Sequence, residues 1–185
     1  MDLTHFGFVH AATFKITDWV NPPEVQVDGD QVTYRQYFNK SPLPPPFASP
    51  LKRAVGTPFD RENYGSFISP ALQIAAVDFI DPDRTEPTAI EGKFRIAHAT
   101  TPIDATHMHY FYLLARDHGT SPEEMNAFAE LSRKGFAEDE QMIEAVQEVL
   151  SREVRPTASW EFSVKSDTAG IQARRALERW MRRET

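Results

Sequence analysis

The chain has 185 residues, 41% hydrophobic and 25% charged, which suits one domain that buries its core without disulfides or a structural metal. A net charge of −7 argues against nucleic acid or anionic membrane as partners, because both are held by basic surface. With no cysteine there is no disulfide or thiol chemistry, and with no long apolar run or basic leader the expectation is a cytoplasmic protein.

The first ten residues, Met1-Asp2-Leu3-Thr4-His5-Phe6-Gly7-Phe8-Val9-His10, set two imidazoles in an otherwise apolar segment. On a regular α-helix residues five apart stand about 140° apart, a poor angle for sharing one metal. A π-type or broken turn would align them, and Gly7 is the residue best suited to absorb the distortion. Zinc proteases differ, since their histidines are four apart with a glutamate base between them. Taken alone, the pair reads first as core or surface histidines.

Asn21-Pro22-Pro23 stops any helix. Val25 and Val27, a turn at Asp28-Gly29, then Val32, Tyr34, Gln36 and Phe38 predict a hairpin with one buried face. From residue 41 to 58 the composition shifts, with Pro42, Pro44, Pro45, Pro46 and Pro50 crowding a stretch that also holds Phe47, Leu51 and Val55, read as an irregular loop packed across the body or covering a pocket mouth. Strands are predicted at 64–68 and 71–80. The alternation of Phe94, Ile96, His98 and Thr100 predicts another with His98 facing inward, and 106–116 its partner. His107 and His109 raise a cupin-like site, but the glutamate such a motif requires is missing. His118 is expected on the surface.

Ser121-Pro122-Glu123-Glu124 is a strong helix start, with a capping serine, proline at the first position and acids in the first turn. Met125, Phe128, Phe136, Met142, Ile143, Val146 and Leu150 then recur at three and four, the stripe of an amphipathic helix facing a core. Asp139 falls on that stripe, three after Phe136 and four before Ile143. A carboxylate there needs a cation or several donors. A divalent metal shared with His5 and His10 answers the need, as does a salt bridge to Arg95 or Arg116. A short strand over 158–164 follows. A last helix, 169–183, carries Ala173, Leu177 and Trp180 on one side and arginines that are solvated or paired with the acidic helix.

Asp2-Leu3-Thr4-His5 through Phe8-Val9-His10, then Ile96-Ala97-His98-Ala99-Thr100-Thr101-Pro102, His109-Tyr110-Phe111, and Glu138-Asp139 through Glu144-Ala145 resemble the catalytic domain of the alpha subunit of Rieske non-heme iron oxygenases. The nearest likeness is to the branch with vanillate O-demethylase and dicamba monooxygenase. That resemblance implies an α+β helix-grip fold of the START-like kind, a curved antiparallel sheet around a long helix, with residues 1–185 as one catalytic domain. It implies Fe(II) on His5, His10 and Asp139, a set of two histidines and one carboxylate that leaves coordination positions open. Asp2 becomes the bridge for electrons from a Rieske [2Fe-2S] cluster in a neighbouring subunit, His98 a residue of the substrate pocket, and a homotrimer the assembly. The implied partners are O2, a small aromatic acid and a Rieske or reductase donor; the reaction is hydroxylation or oxidative demethylation.

One departure is large. A Rieske cluster takes two cysteines and two histidines, so this cysteine-free chain is expected to lack the Rieske domain and to draw electrons from another polypeptide or from missing sequence. The rival expectations are an inactive or truncated domain that binds a small aromatic ligand, and a zinc hydrolase, which lacks an evident base. A separation beyond about 8 Å between the Asp139 carboxylate and both imidazoles would exclude the shared metal, whose bonds are near 2 Å.

Overall fold

The alternating valines close as expected: β1 (Glu24–Asp28) pairs with β2 (Gln31–Pro42), Val27 opposite Val32, and Gly29 turns the chain at a φ of 58° that a side chain would strain. In the computed structural model, which describes residues 4–16, 21–84, 90–152, 154 and 162–184, this hairpin opens a six-stranded sheet. β3 (Pro58–Ser69), β4 (Leu72–Ile80), β5 (Gly92–Pro102) and β6 (Met108–Arg116) follow, each antiparallel to its neighbour and in sequence order. Residues 158–161 of the expected short strand lie outside the described residues, and Phe162, Ser163 and Val164 are not in a strand.

β3 begins six residues earlier than its apolar pattern suggests. Its inward positions are Phe59, Arg61, Asn63, Gly65 and Phe67, so two polar side chains occupy the buried face and conceal the period of two. Gly65 has a steric reason: a Cβ there would stand 2.5 Å from the Ile74 carbonyl oxygen and 2.7 Å from the Tyr34 ring. The proline-rich stretch is also more ordered than expected. β2 runs to Pro42, a single helical turn α1 (Pro45–Ala48) follows, and Leu43, Phe47, Ala48 and Leu51 are buried. They join Ile16, Phe59, Val77, Phe79 and Phe128 in the main core, so the segment plugs the body and is not a lid.

The described helices cover one face of the curved sheet, the helix-grip arrangement. α2 (Pro122–Arg152) crosses the β5–β6 side, with Phe128 packed against Phe47 and Phe94, and Phe136 against Tyr112. Its start is a capping box: the Glu124 amide donates to Ser121 Oγ, and the Ser121 amide to the Glu124 carboxylate, both at 3.3 Å. α3 (Thr168–Glu184) lies over β1–β3, burying Ala169, Ala173 and Ala176 against Val32, Tyr34 and Phe67. Leu177, expected on that buried side, is exposed. The α3 arginines do not reach α2 in the described contacts; Arg179 and Arg183 grip Asp30 in the β1–β2 turn. Beyond Asp139 the α2 stripe also departs from expectation, with Met142, Ile143, Val146 and Leu150 exposed, because the described fold offers no layer for that end of the helix to cover. No helix among the described residues is long and apolar enough to cross a membrane.

Candidate metal centre

The N-terminal segment solves the five-residue spacing with a broken turn. His5–Gly7 is a 3-10 turn in which the Phe8 and Val9 amides both donate to the His5 carbonyl, at 2.9 and 2.7 Å. Further on, the Phe14 and Lys15 amides share the His10 carbonyl at 2.9 and 3.4 Å. The two imidazoles consequently meet, ring centres 5.0 Å apart and edge-on. Gly7 is not what permits this: its φ is not positive, and a Cβ there would meet only the Ile16 carbonyl at 3.8 Å.

Aromatic packing holds the segment to α2. Phe6 and Phe14 flank the His10 ring edge-on at 5.2 and 5.1 Å, and Ile16 enters the main core. Phe14 rests on Gly135, where a Cβ would stand 2.6 Å from the ring. That glycine sets how close segment and helix can come. Asp139 lies one turn further along the same helix face.

Asp139 Oδ1 stands 3.1 Å from His10 Nε2 and 3.7 Å from His5 Nε2. Neither arginine considered as its alternative partner has a described contact with it. Arg95 pairs with Asp78 at 2.7 Å on the opposite face, and Arg116 bonds the Gly119 carbonyl and lies over the Phe128 ring. His5, His10 and Asp139 offer two nitrogens and one oxygen, all within 4.8 Å of one another; they form the one such cluster found among the described residues. Atoms bound to one ion at about 2.0–2.2 Å can be no more than roughly 4.4 Å apart, so slight closure suffices. The donor chemistry also fits a divalent first-row metal with open positions. His10 is 2% exposed, whereas the His5 and Asp139 side chains are 25% and 29% exposed, so the cluster is sealed on one side and open on the other. Asp2, three residues before His5, lies outside the described residues.

Glu138, which the sequence did not single out, takes the other nitrogen of His10: Nδ1 and Oε2 are 2.8 Å apart. Thr13 Oγ1 donates to the second oxygen of the same carboxylate. Burial pulls the His10 pKa down, but hydrogen bonds to Asp139 and Glu138 and their charges outweigh it, holding the imidazole above its usual value.

His98 faces inward as its alternation predicts. It stacks on Tyr110, shares a hydrogen bond with the Tyr110 hydroxyl, and meets Phe136 edge-on at 6.3 Å, one helical turn before Asp139. Burial lowers its pKa against the opposing charge of Asp139. Burial, helped by Asp139, raises that of Tyr110 well above the phenol range. The cupin-like alternative fails in three dimensions: His107 bonds Asp104 in the turn at 2.9 Å, whereas His109 lies beside Phe111 in β6. His118 is inside and not on the surface, because its turn folds back on β5. Its side chain is 8% exposed, packed edge-on against Phe79 and against Gly92.

Residues 1–183 match the family described as the vanillate O-demethylase oxygenase C-terminal domain. The chain belongs to that family. It is a family of oxygenase domains of Rieske-type O-demethylases, which are non-heme iron enzymes. Among solved structures, this vanillate O-demethylase-type domain resembles dicamba monooxygenase bound to 3,6-dichlorosalicylic acid, with a TM-score of 0.80 at 22% identity over 99% of this chain and 54% of that one. For the enzyme bound to dicamba the values are 0.74 and 20%, over 99% and 53%. For the form with non-heme iron and dicamba they are 0.65 and 18%, over 100% and 55%. The chain spans about half the length of these structures, and at such identities the likeness shows the helix-grip fold. No curated protein sequence matches it.

Proposed function

We propose that residues 1–185 form the mononuclear iron domain of a Rieske-type oxygenase that hydroxylates or oxidatively demethylates a small aromatic acid, with Fe(II) held by His5, His10 and Asp139. What carries this reading is the convergence of two imidazoles and one carboxylate from distant parts of a chain in a non-heme iron family. Iron bound there supplies O2 activation at the positions its protein ligands leave open. His10 closes the buried side, and substrate approaches past the more exposed His5 and Asp139. Phe136, Tyr110 and Tyr112 give an aromatic ring flat apolar walls, and the bound dicamba of the related structures is an aromatic of that size.

His98 orients the ligand. With its pKa lowered it is neutral near pH 7, and the Tyr110 hydroxyl, its own pKa raised, donates to His98 Nδ1. The proton then sits on Nε2, which donates to the carboxylate or phenolic oxygen of the substrate. Asp2 carries electrons from a Rieske [2Fe-2S] centre on a neighbouring subunit of a homotrimer in the cytoplasm. That centre belongs to another polypeptide or to sequence outside these residues, because the chain has no cysteine.

Anaerobic titration with Fe(II) tests the proposal. Wild-type chain is expected to take up one iron, and Asp139→Ala to keep its circular dichroism while losing the metal. Full iron occupancy in the variant would overturn the assignment. The second reading is an inactive or truncated domain that binds a small aromatic ligand without turning it over. Addition of a separate Rieske donor, reductant and O2 distinguishes the two, since only the oxygenase forms product.

A further inference from the structure

We infer that Glu138 is a positioning residue that aims His10 at the metal, a role that rests on His10 being a ligand. Glu138 and Asp139 are consecutive on α2, yet each reaches a different nitrogen of one imidazole, Nδ1 at 2.8 Å and Nε2 at 3.1 Å. An imidazole that donates Nδ1–H to a carboxylate keeps its lone pair on Nε2 and cannot swing about its side-chain bonds. That leaves Nε2, directed at the Asp139 oxygen, as the metal-binding atom.

Glu138 is itself held. Thr13, three residues after His10, donates to its second oxygen, so both carboxylate oxygens are engaged by one short segment. Phe6 and Phe14 fix the plane of the ring from its edges. Glu138 is not a substitute ligand, because its contact is with the ring nitrogen opposite the one facing Asp139. Nor is it one more solvated acid of an acidic helix: its partner His10 is 2% exposed.

The test uses the full chain, with Co(II) as an optical probe beside Fe(II). Loss of such an outer partner typically weakens metal binding about 10- to 100-fold. Glu138→Ala is expected to lose affinity in that range and to alter the visible Co(II) bands. Glu138→Gln keeps an oxygen to accept from Nδ1–H, and is expected to restore the bands and most of the affinity. Thr13→Val removes the outer anchor alone and is expected to fall between wild type and Glu138→Ala. A Glu138→Ala variant with a lowered melting temperature but wild-type metal affinity and spectrum would reduce Glu138 to a structural tie and overturn the inference. If that variant does not fold, Thr13→Val decides: weakened binding at unchanged melting temperature supports the role, and unchanged binding overturns it. Wild-type chain that binds neither metal overturns the iron reading and this one together, whereas a wild type that binds and a Glu138→Ala that binds equally well removes only Glu138.

Discussion

Gly135 carries more of the site than its size suggests. The Phe14 ring lies where its Cβ would be, and Phe14 in turn backs His10. Gly135→Ala is therefore expected to cost about 1–3 kcal/mol, as overpacking does, despite the gain in helix propensity. It should also weaken Fe(II) binding by shifting the N-terminal segment; denaturant unfolding and metal titration on one sample would read both effects. A stability rise with unchanged iron affinity would show that the contact is loose. Asp139 was legible in the sequence because a carboxylate on an apolar stripe demands an explanation. Glu138 was not, since it looks like any other acid of a surface helix and only the fold reveals that a buried imidazole lies over it. Gly135 was hidden for a related reason: a helical glycine shows its purpose only once the neighbouring ring is in place.

At the scale of elements, α3 is pinned to the sheet by Asp30, whose carboxylate takes Arg179 at 2.9 Å and also Arg183. Those hydrogen bonds, Arg183 first and Arg179 next, hold the Asp30 pKa below its ordinary 3.8. The folded-state pKa is depressed, so the stabilisation is full above 3.8 and is lost as pH falls through the lower, folded value. Asp30→Asn should lower the melting temperature slightly at neutral pH, and the gap should close in acid; a gap that persists there would rule out the ion pair as its source. The sequence carried most of these elements, because the hairpin, β5 and α2 have clean periods and a good cap. It failed where polar residues occupy inward positions, as at Arg61 and Asn63 in β3, and where the α2 stripe continues past the layer it covers. Periodicity reports what a helix could bury, and the neighbouring elements decide how much of it is buried.

At the scale of the molecule, the cluster joins the first described residues to a helix on the far side of the sheet in sequence. A metal that binds only the folded chain stabilises it by mass action, about 2.7 kcal/mol at one hundred times its dissociation constant. For a domain of this size that corresponds to a rise of roughly 5–11 °C in melting temperature. Differential scanning calorimetry with and without Fe(II) should show this rise for wild type and none for Asp139→Ala. An equal rise in both would place the stabilising ion elsewhere.

The strictly sequential sheet has a consequence for biosynthesis. His10 leaves the ribosome before any strand of the sheet, but Glu138, 128 residues later, cannot reach it until every strand has emerged. A nascent chain halted before α2 holds two imidazoles with nothing to complete them. The three-donor cluster is thus assembled only once all six strands have been made, and products interrupted before α2 are born without it.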